Sequence, residues 1–395
     1  MFRCTECQTE YEVKPDFCDC GNDTFEEINP KKEDDLTEEH KELLANVIYT
    51  YSLESNTDLK EGFEGNVEFI TNLLSQKDRS ENNVNCFYTK SVLFVMKYYK
   101  TRDFNEVLTW SKKLNPELLS QEPESFEYMN KGIGYFNTDM EKWYGWKSTA
   151  LLKTQQYTKT VKIIEEALEV IKFYSDNNKY WFKYRHALAN RGIGNEEKAL
   201  EELLDVFEYM HDWTVQNEIA YCYFNLDDNE NAFKYALDAA LNPDGRILSK
   251  SNVYELIMYI LEEKELDELY EKHNQFLRHI RYEQQLTFEG IIDFEDEDET
   301  YEKNEYKKLE NNLRKNWAEL RYKTEERVKG KIYSMNKYDG SIIYEDEIYS
   351  FKLKTVDDNI KDILSIDLDV SFYKNVYYDK KNDITVRNAI GINLI

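Results

Sequence analysis

Between Tyr180 and Pro243 the chain twice repeats a helix–turn–helix pattern built on small residues, and this stretch constrains the fold most. In the first copy Ala187 precedes a turn at Gly194, and Ala199, Leu203 and Val206 follow. In the second, Ala220 and Tyr223 precede the turn Asn225-Leu226-Asp227-Asp228. Ala232, Ala236 and Ala239 come after it, and Pro243 closes the unit. Helices cross closely only where a side chain is the size of Ala or Gly. Ala199 and Ala232 lie 33 residues apart, a period that belongs to stacked helical pairs.

These two units resemble the TPR family. Weaker copies flank them. Phe87–Pro116 carries Val95, Tyr98, Phe104, Val107 and Leu114, while 146–174 carries Ala150, Tyr157, Ala167 and Leu168. A last unit over 253–280 carries Ile257, Ile260, Leu266, Leu269 and Phe276. About five units thus fill residues 85–282, interrupted at 117–145. The resemblance implies an α-solenoid whose inner face offers the first helix of each unit to a peptide or protein partner. Tyr180, Lys183, Tyr184, Asn217, Tyr221 and Tyr254 are the candidates for that face. The competing reading makes the same aromatics packing between repeats.

Charge narrows the partners. Among 395 residues, 51 Lys and Arg stand against 78 Asp and Glu, a formal net charge of −27. Such a field repels nucleic acid, so any contact with it needs a local basic surface. No run of 18 apolar residues occurs, which predicts no membrane span. The start, Met-Phe-Arg-Cys, has no apolar signal core, so a cytoplasmic location is expected.

Four of the six cysteines cluster at the start, which points to a metal in a reducing compartment rather than to disulfides. Cys4 and Cys7 form one knuckle, Cys18 and Cys20 the other, and Gly21 relaxes the turn after the second. Two such pairs can hold one Zn²⁺ tetrahedrally, and the metal would supply the folding energy of so small a module. Residues 1–30 resemble a rubredoxin-type zinc ribbon, with Cys-x-Cys in place of the commoner second Cys-x-x-Cys. Four thiolates fill the tetrahedron, so the expected zinc is structural; redox iron is the alternative.

Residues 31–84 read as N-terminal helices, with Thr37 as an N-cap and helices through Tyr51 and over about 59–74. Residues 283–327 read as an acidic linker followed by a basic helix. The run Asp-Phe-Glu-Asp-Glu-Asp-Glu at 293–299 is taken as solvated chain rather than a metal site. In the helix, Leu309, Leu313, Trp317 and Leu320 share one face, and Arg314, Lys315, Arg321 and Arg327 lie on others. Two uses are open: Arg314 and Lys315 contact phosphates, or the cations pair with the acidic run.

From Val328 the period changes to alternation, and five short strands within residues 328–395 fit an OB-type barrel. This stretch resembles the cold-shock domain. Lys329-Gly330-Lys331-Ile332-Tyr333 stands at its opening strand, Lys337-Tyr338-Asp339-Gly340-Ser341-Ile342 at its first RNA-binding motif, and Ile348-Tyr349-Ser350-Phe351 at its second. Asp339 and Ser341 replace two motif phenylalanines, and Phe351 replaces the histidine. Each lost base-stacking platform removes about 1–3 kcal/mol. Lys331, Tyr333, Tyr349, Phe351 and Lys352 are the candidates for a reduced single-strand platform.

The expected fold is multidomain and mainly α: a TPR-like α-solenoid with an N-terminal zinc ribbon and a C-terminal five-stranded OB-type barrel. The five histidines have no metal or triad spacing, and no phosphate loop or nucleophile elbow occurs, so no enzyme is expected. The leading reading is a non-enzymatic adaptor for a protein partner that also touches single-stranded RNA or DNA. Its domain order is similar to that of the TPR–OB proteins of bacterial conflict (TOTE-type, anti-phage) systems, which implies an effector nuclease or NTPase as partner. The alternatives are a housekeeping RNA-associated factor and a pure protein scaffold with a degenerate OB domain.

Overall fold

A computed structural model describes residues 2–4, 10–11, 24–27, 37–38, 42, 63–73, 87–128, 132–176, 178–287 and 302–395. The chain forms two compact units, residues 1–195 and 196–395. Cys7, Cys18, Cys20, Cys86 and the acidic run 293–299 lie outside the described residues, as does nearly all of the helix expected through Tyr51.

In the first unit, β1 (Phe2–Cys4), β2 (Glu10–Tyr11) and β3 (Phe25–Glu27) form an antiparallel sheet in the order β2-β1-β3. Helices follow as α1 (Phe63–Leu73), α2 (Phe87–Tyr99) and α3 (Phe104–Ser111). The stretch expected to interrupt the helices holds a hairpin, β4 (Ser125–Tyr128) and β5 (Gly132–Tyr135). After it come α4 (Asp139–Lys153), α5 (Tyr157–Val170) and α6 (Asn178–Gly192). Thr138 and Glu141 cap α4 reciprocally. The buried Glu141 carboxylate also accepts from the backbone N–H of Ser175 and the Asn178 amide, each at 2.9 Å. Those bonds satisfy a carboxylate that burial would otherwise penalise.

The second unit continues with α7 (Glu196–Phe207), α8 (Trp213–Asn225), α9 (Asn229–Leu241), α10 (Ser251–Glu263), α11 (Asp267–Thr287) and α12 (Glu305–Arg321). Consecutive helices pack on one another from α7 to α12, and α12 also packs on α9. Ala199, Ala220, Ala232, Ala236 and Ala239 are fully buried, as close helix crossing requires.

Four turns in the chain share one geometry. Gln155, Gly194, Asp227 and Glu265 adopt left-handed φ. The next N–H in each turn reaches back five residues: Gln156 to Leu151, Asn195 to Asn190, Asp228 to Tyr223 and Leu266 to Leu261. This is the Schellman closure of a helix, repeated along the chain.

The basic helix, α12, is a core element. Trp317 is fully buried, and its ring lies parallel to Tyr254 at 5.4 Å and against Phe276. One turn on, Tyr322 stacks on Tyr373 of the barrel at 5.3 Å.

The barrel itself is closed and OB-like, in the order β10-β8-β7-β6-β9. Its strands are β6 (Val328–Met335), β7 (Asp339–Tyr344), β8 (Glu347–Lys352), β9 (Asp369–Asp379) and β10 (Ile384–Leu394). The interior holds Ile332, Ile342, Tyr349, Phe351, Val370, Phe372, Ala389 and Ile392. Gly340 is required: a Cβ there would come within 2.2 Å of the Phe351 ring.

Candidate functional site

The chemistry of the barrel turns on the phase of β8. Ile342 pairs with Tyr349 and Ser341 with Ser350. Tyr349 and Phe351 are 2% and 5% exposed, whereas Ile348 is 50% exposed and Ser350 and Lys352 also face solvent. A shift of one residue exchanges the two faces of a strand. The motif comparison had set Tyr349 and Phe351 on the ligand face; the structure sets them in the core. Tyr349 packs against Phe372 at 5.2 Å and donates its hydroxyl to Glu347 at 2.9 Å. Burial, helped by that carboxylate, pushes its pKa up to about 12.

Lys331 and Tyr333 remain exposed on β6; Lys331 pairs with Ile343 of β7, and Tyr333 sits at a register shift between the pairs Ile332–Ile342 and Ser334–Ser341. The Ser341 hydroxyl is taken up by Ser334 at 2.7 Å. Lys352 lies 3.0 Å from Asp339 in an ion pair. The outer surface of β6–β8 therefore presents one aromatic ring within its strands, Tyr333.

Arg314, expected as a phosphate contact, is committed inside the helical core. It is buried, donates to the carbonyls of Ala240 (3.2 Å) and Leu241, and pairs with Glu310 at 2.9 Å. Lys250 binds the flanking carbonyls of Ala239 and Asn242 at 3.0 and 2.6 Å. Two buried cations thus close the C-terminus of α9, where the helix dipole is negative. Burial, with Arg314 adding to it, pulls the Lys250 ammonium down to about 7. Lys315, by contrast, is exposed.

The proposed repeat-face residues divide. Tyr180, Lys183 and Tyr184 are half-buried on α6, with Tyr184 edge-on to Trp181 at 5.4 Å. Tyr221 donates to the Asn252 carbonyl at 3.0 Å, which ties α8 to α10. Asn217 is buried and Tyr254 fully so. Tyr221 and Tyr254 therefore serve packing between helices.

Sequence reasoning missed a cleft of about 680 Å³ within the second unit. Lys234, Tyr235 and Asp238 of α9 line one side, and Ser350, Lys352, Asn375, Tyr377 and Asn388 of the barrel the other. Arg321 bonds Asp238 at 2.6 Å in its wall. Burial pushes the Asp238 carboxyl up, against the pull of that guanidinium. At one margin His211 stacks on Tyr377 at 3.9 Å, and burial lowers its pKa. Lys380 pairs there with Glu208. These partners lie far apart in sequence, so spacing gave no signal for them.

Among the described residues no group of three His, Cys, Asp or Glu is arranged to hold a metal, and no helix is long and apolar enough to cross a membrane. Of the proposed zinc ligands, Cys4 ends β1 opposite Phe25; the other three lie outside the described residues. Comparison with protein-family models, curated proteins and solved structures finds no match to this chain.

Proposed function

We propose that this chain is a non-enzymatic adaptor: a TPR-like helical array that takes a protein partner and carries a cold-shock-like OB domain without a working single-strand platform. The phase of β8 carries this reading. With Tyr349 and Phe351 inside the barrel, two stacking platforms worth about 1–3 kcal/mol per base are missing. Arg314 is committed to helix carbonyls, and the chain as a whole repels polyanions. What supports the scaffold alternative thus weighs against an RNA factor.

Fluorescence anisotropy with labelled single-stranded RNA and DNA tests this. The expected affinity at physiological salt is no better than the non-specific range, about 10⁻⁴–10⁻⁶ M. Nanomolar, salt-dependent binding that Tyr333→Ala or Lys331→Glu abolishes would sink it.

Cys4, Cys7, Cys18 and Cys20 are proposed to hold a structural zinc ion in a ribbon of residues 1–30. Metal analysis of the purified chain is expected to find zinc, lost in Cys7→Ser while the helical circular dichroism persists. Absence of zinc and iron from the native chain excludes the ribbon. The domain order supports a conflict-system setting with an effector nuclease or NTPase as partner; the identity of the adjoining genes discriminates this from a housekeeping role.

A further inference from the structure

We propose that His273 is a proton-operated latch: a proton taken up by its ring opens the seam where α10, α11 and α12 meet.

The surroundings of the ring admit no charge. His273 is fully buried, and neither ring nitrogen has a hydrogen-bond partner among the described residues. Its neighbours are other rings. Trp317 of α12 lies at 5.7 Å, Phe276 of α11 at 6.0 Å and Tyr254 of α10 at 6.3 Å, centroid to centroid. The Tyr254 hydroxyl and the Trp317 indole nitrogen are themselves buried without a partner among the described residues. The imidazole is therefore enclosed by aromatic surface, with no carboxylate or carbonyl bonded to it. Aromatic faces do attract a cation, but less strongly than the loss of its water penalises it.

Nearby charges are committed elsewhere. On α11 the adjacent Lys272 is exposed and pairs with Glu268 at 2.6 Å. On α12, Arg314 and Glu310 lie about one and two turns before Trp317 and pair with each other. The turn before α10 brings Lys250, whose ammonium is bound to the Ala239 and Asn242 carbonyls. Burial is what acts on the His273 ring, and it pulls the pKa from 6.5 down to about 3.

The direction of the response follows. In an opened seam the ring titrates near 6.5, whereas the closed seam holds it neutral down to about pH 3. Between these values the open state binds the additional proton, so acid favours opening, approaching tenfold per pH unit. Above 6.5 both states are neutral and the latch is shut. Its release reaches beyond α11, because α12 packs on α11, on α9 and on β10 of the barrel.

Hydrogen exchange of the full-length chain over residues 251–287, corrected for the intrinsic pH dependence of exchange, tests the latch. The comparison is with His273→Phe, which keeps a ring in the seam and takes up no proton. Between pH 8.0 and 5.0 the opening constant of the native chain is expected to rise about thirtyfold more than that of the variant. Equal rises in the two chains overturn the proposal. A second measurement needs no variant. In the folded chain, histidine nuclear magnetic resonance is expected to show the His273 ring neutral at pH 5.0, and a protonated ring there overturns the proposal as well.

Discussion

Replacing Arg314 by methionine is expected to destabilise the second unit by about 3–5 kcal/mol, the usual cost of removing one partner of a buried ion pair. Arg314 and Glu310 are both mostly buried, and the substitution strands the carboxylate without its counter-ion. It also removes the donors to Ala240 and Leu241, leaving Lys250 alone at the end of α9. Lys315→Met, one residue away and exposed, is expected to stay within about 0.5 kcal/mol of the parent. Urea unfolding of the two variants followed by hydrogen exchange over residues 196–395 distinguishes a capping arginine from a phosphate contact. Equal stability of both would return Arg314 to the surface.

The second large effect is in the barrel. Tyr349→Ala is expected to cost about 3–5 kcal/mol, the range for deleting a buried aromatic ring. Tyr349→Phe removes only the hydroxyl bonded to Glu347, a loss of about 0.5–1.5 kcal/mol. Glu347 keeps Arg387 at 2.6 Å, so the carboxylate is not left unpaired. No tryptophan lies in the barrel, so the readout is hydrogen exchange over residues 328–395. A stable alanine variant with native protection would contradict the burial of this ring.

How much of this was legible in the sequence depended on where the determining partners lay. The central repeats announced themselves through alanines that cross at close quarters. The same closure recurs at Gln155, Asp227 and Glu265, where a residue other than glycine takes the left-handed position that Gly194 takes in the first central unit.

The barrel strands were visible from their alternation. The phase of β8 was not, because Ile348, Tyr349 and Phe351 are all apolar and the pattern fits either face inward. Phase is set across the sheet, by Ile342 opposite Tyr349 and by the space that Gly340 leaves for Phe351. Similarly, the period of α12 assigned Leu313 and Trp317 to an apolar face and left Arg314 among the exposed cations. Its carbonyl partners are 73 and 74 residues distant in sequence. The hairpin of β4 and β5 was read as an interruption, since four-residue strands carry too little periodicity to register.

Hydroxyl-radical footprinting of the native full-length chain, read residue by residue by mass spectrometry, tests the central claim without a substitution. Tyr333 and Tyr338 are 57% and 68% exposed and are expected to oxidise readily. Tyr349 and Phe351 are expected to stay protected until the barrel unfolds. Oxidation of Tyr349 in the folded chain at the rate of Tyr338 would put the ring outside, restore a stacking face, and contradict the account.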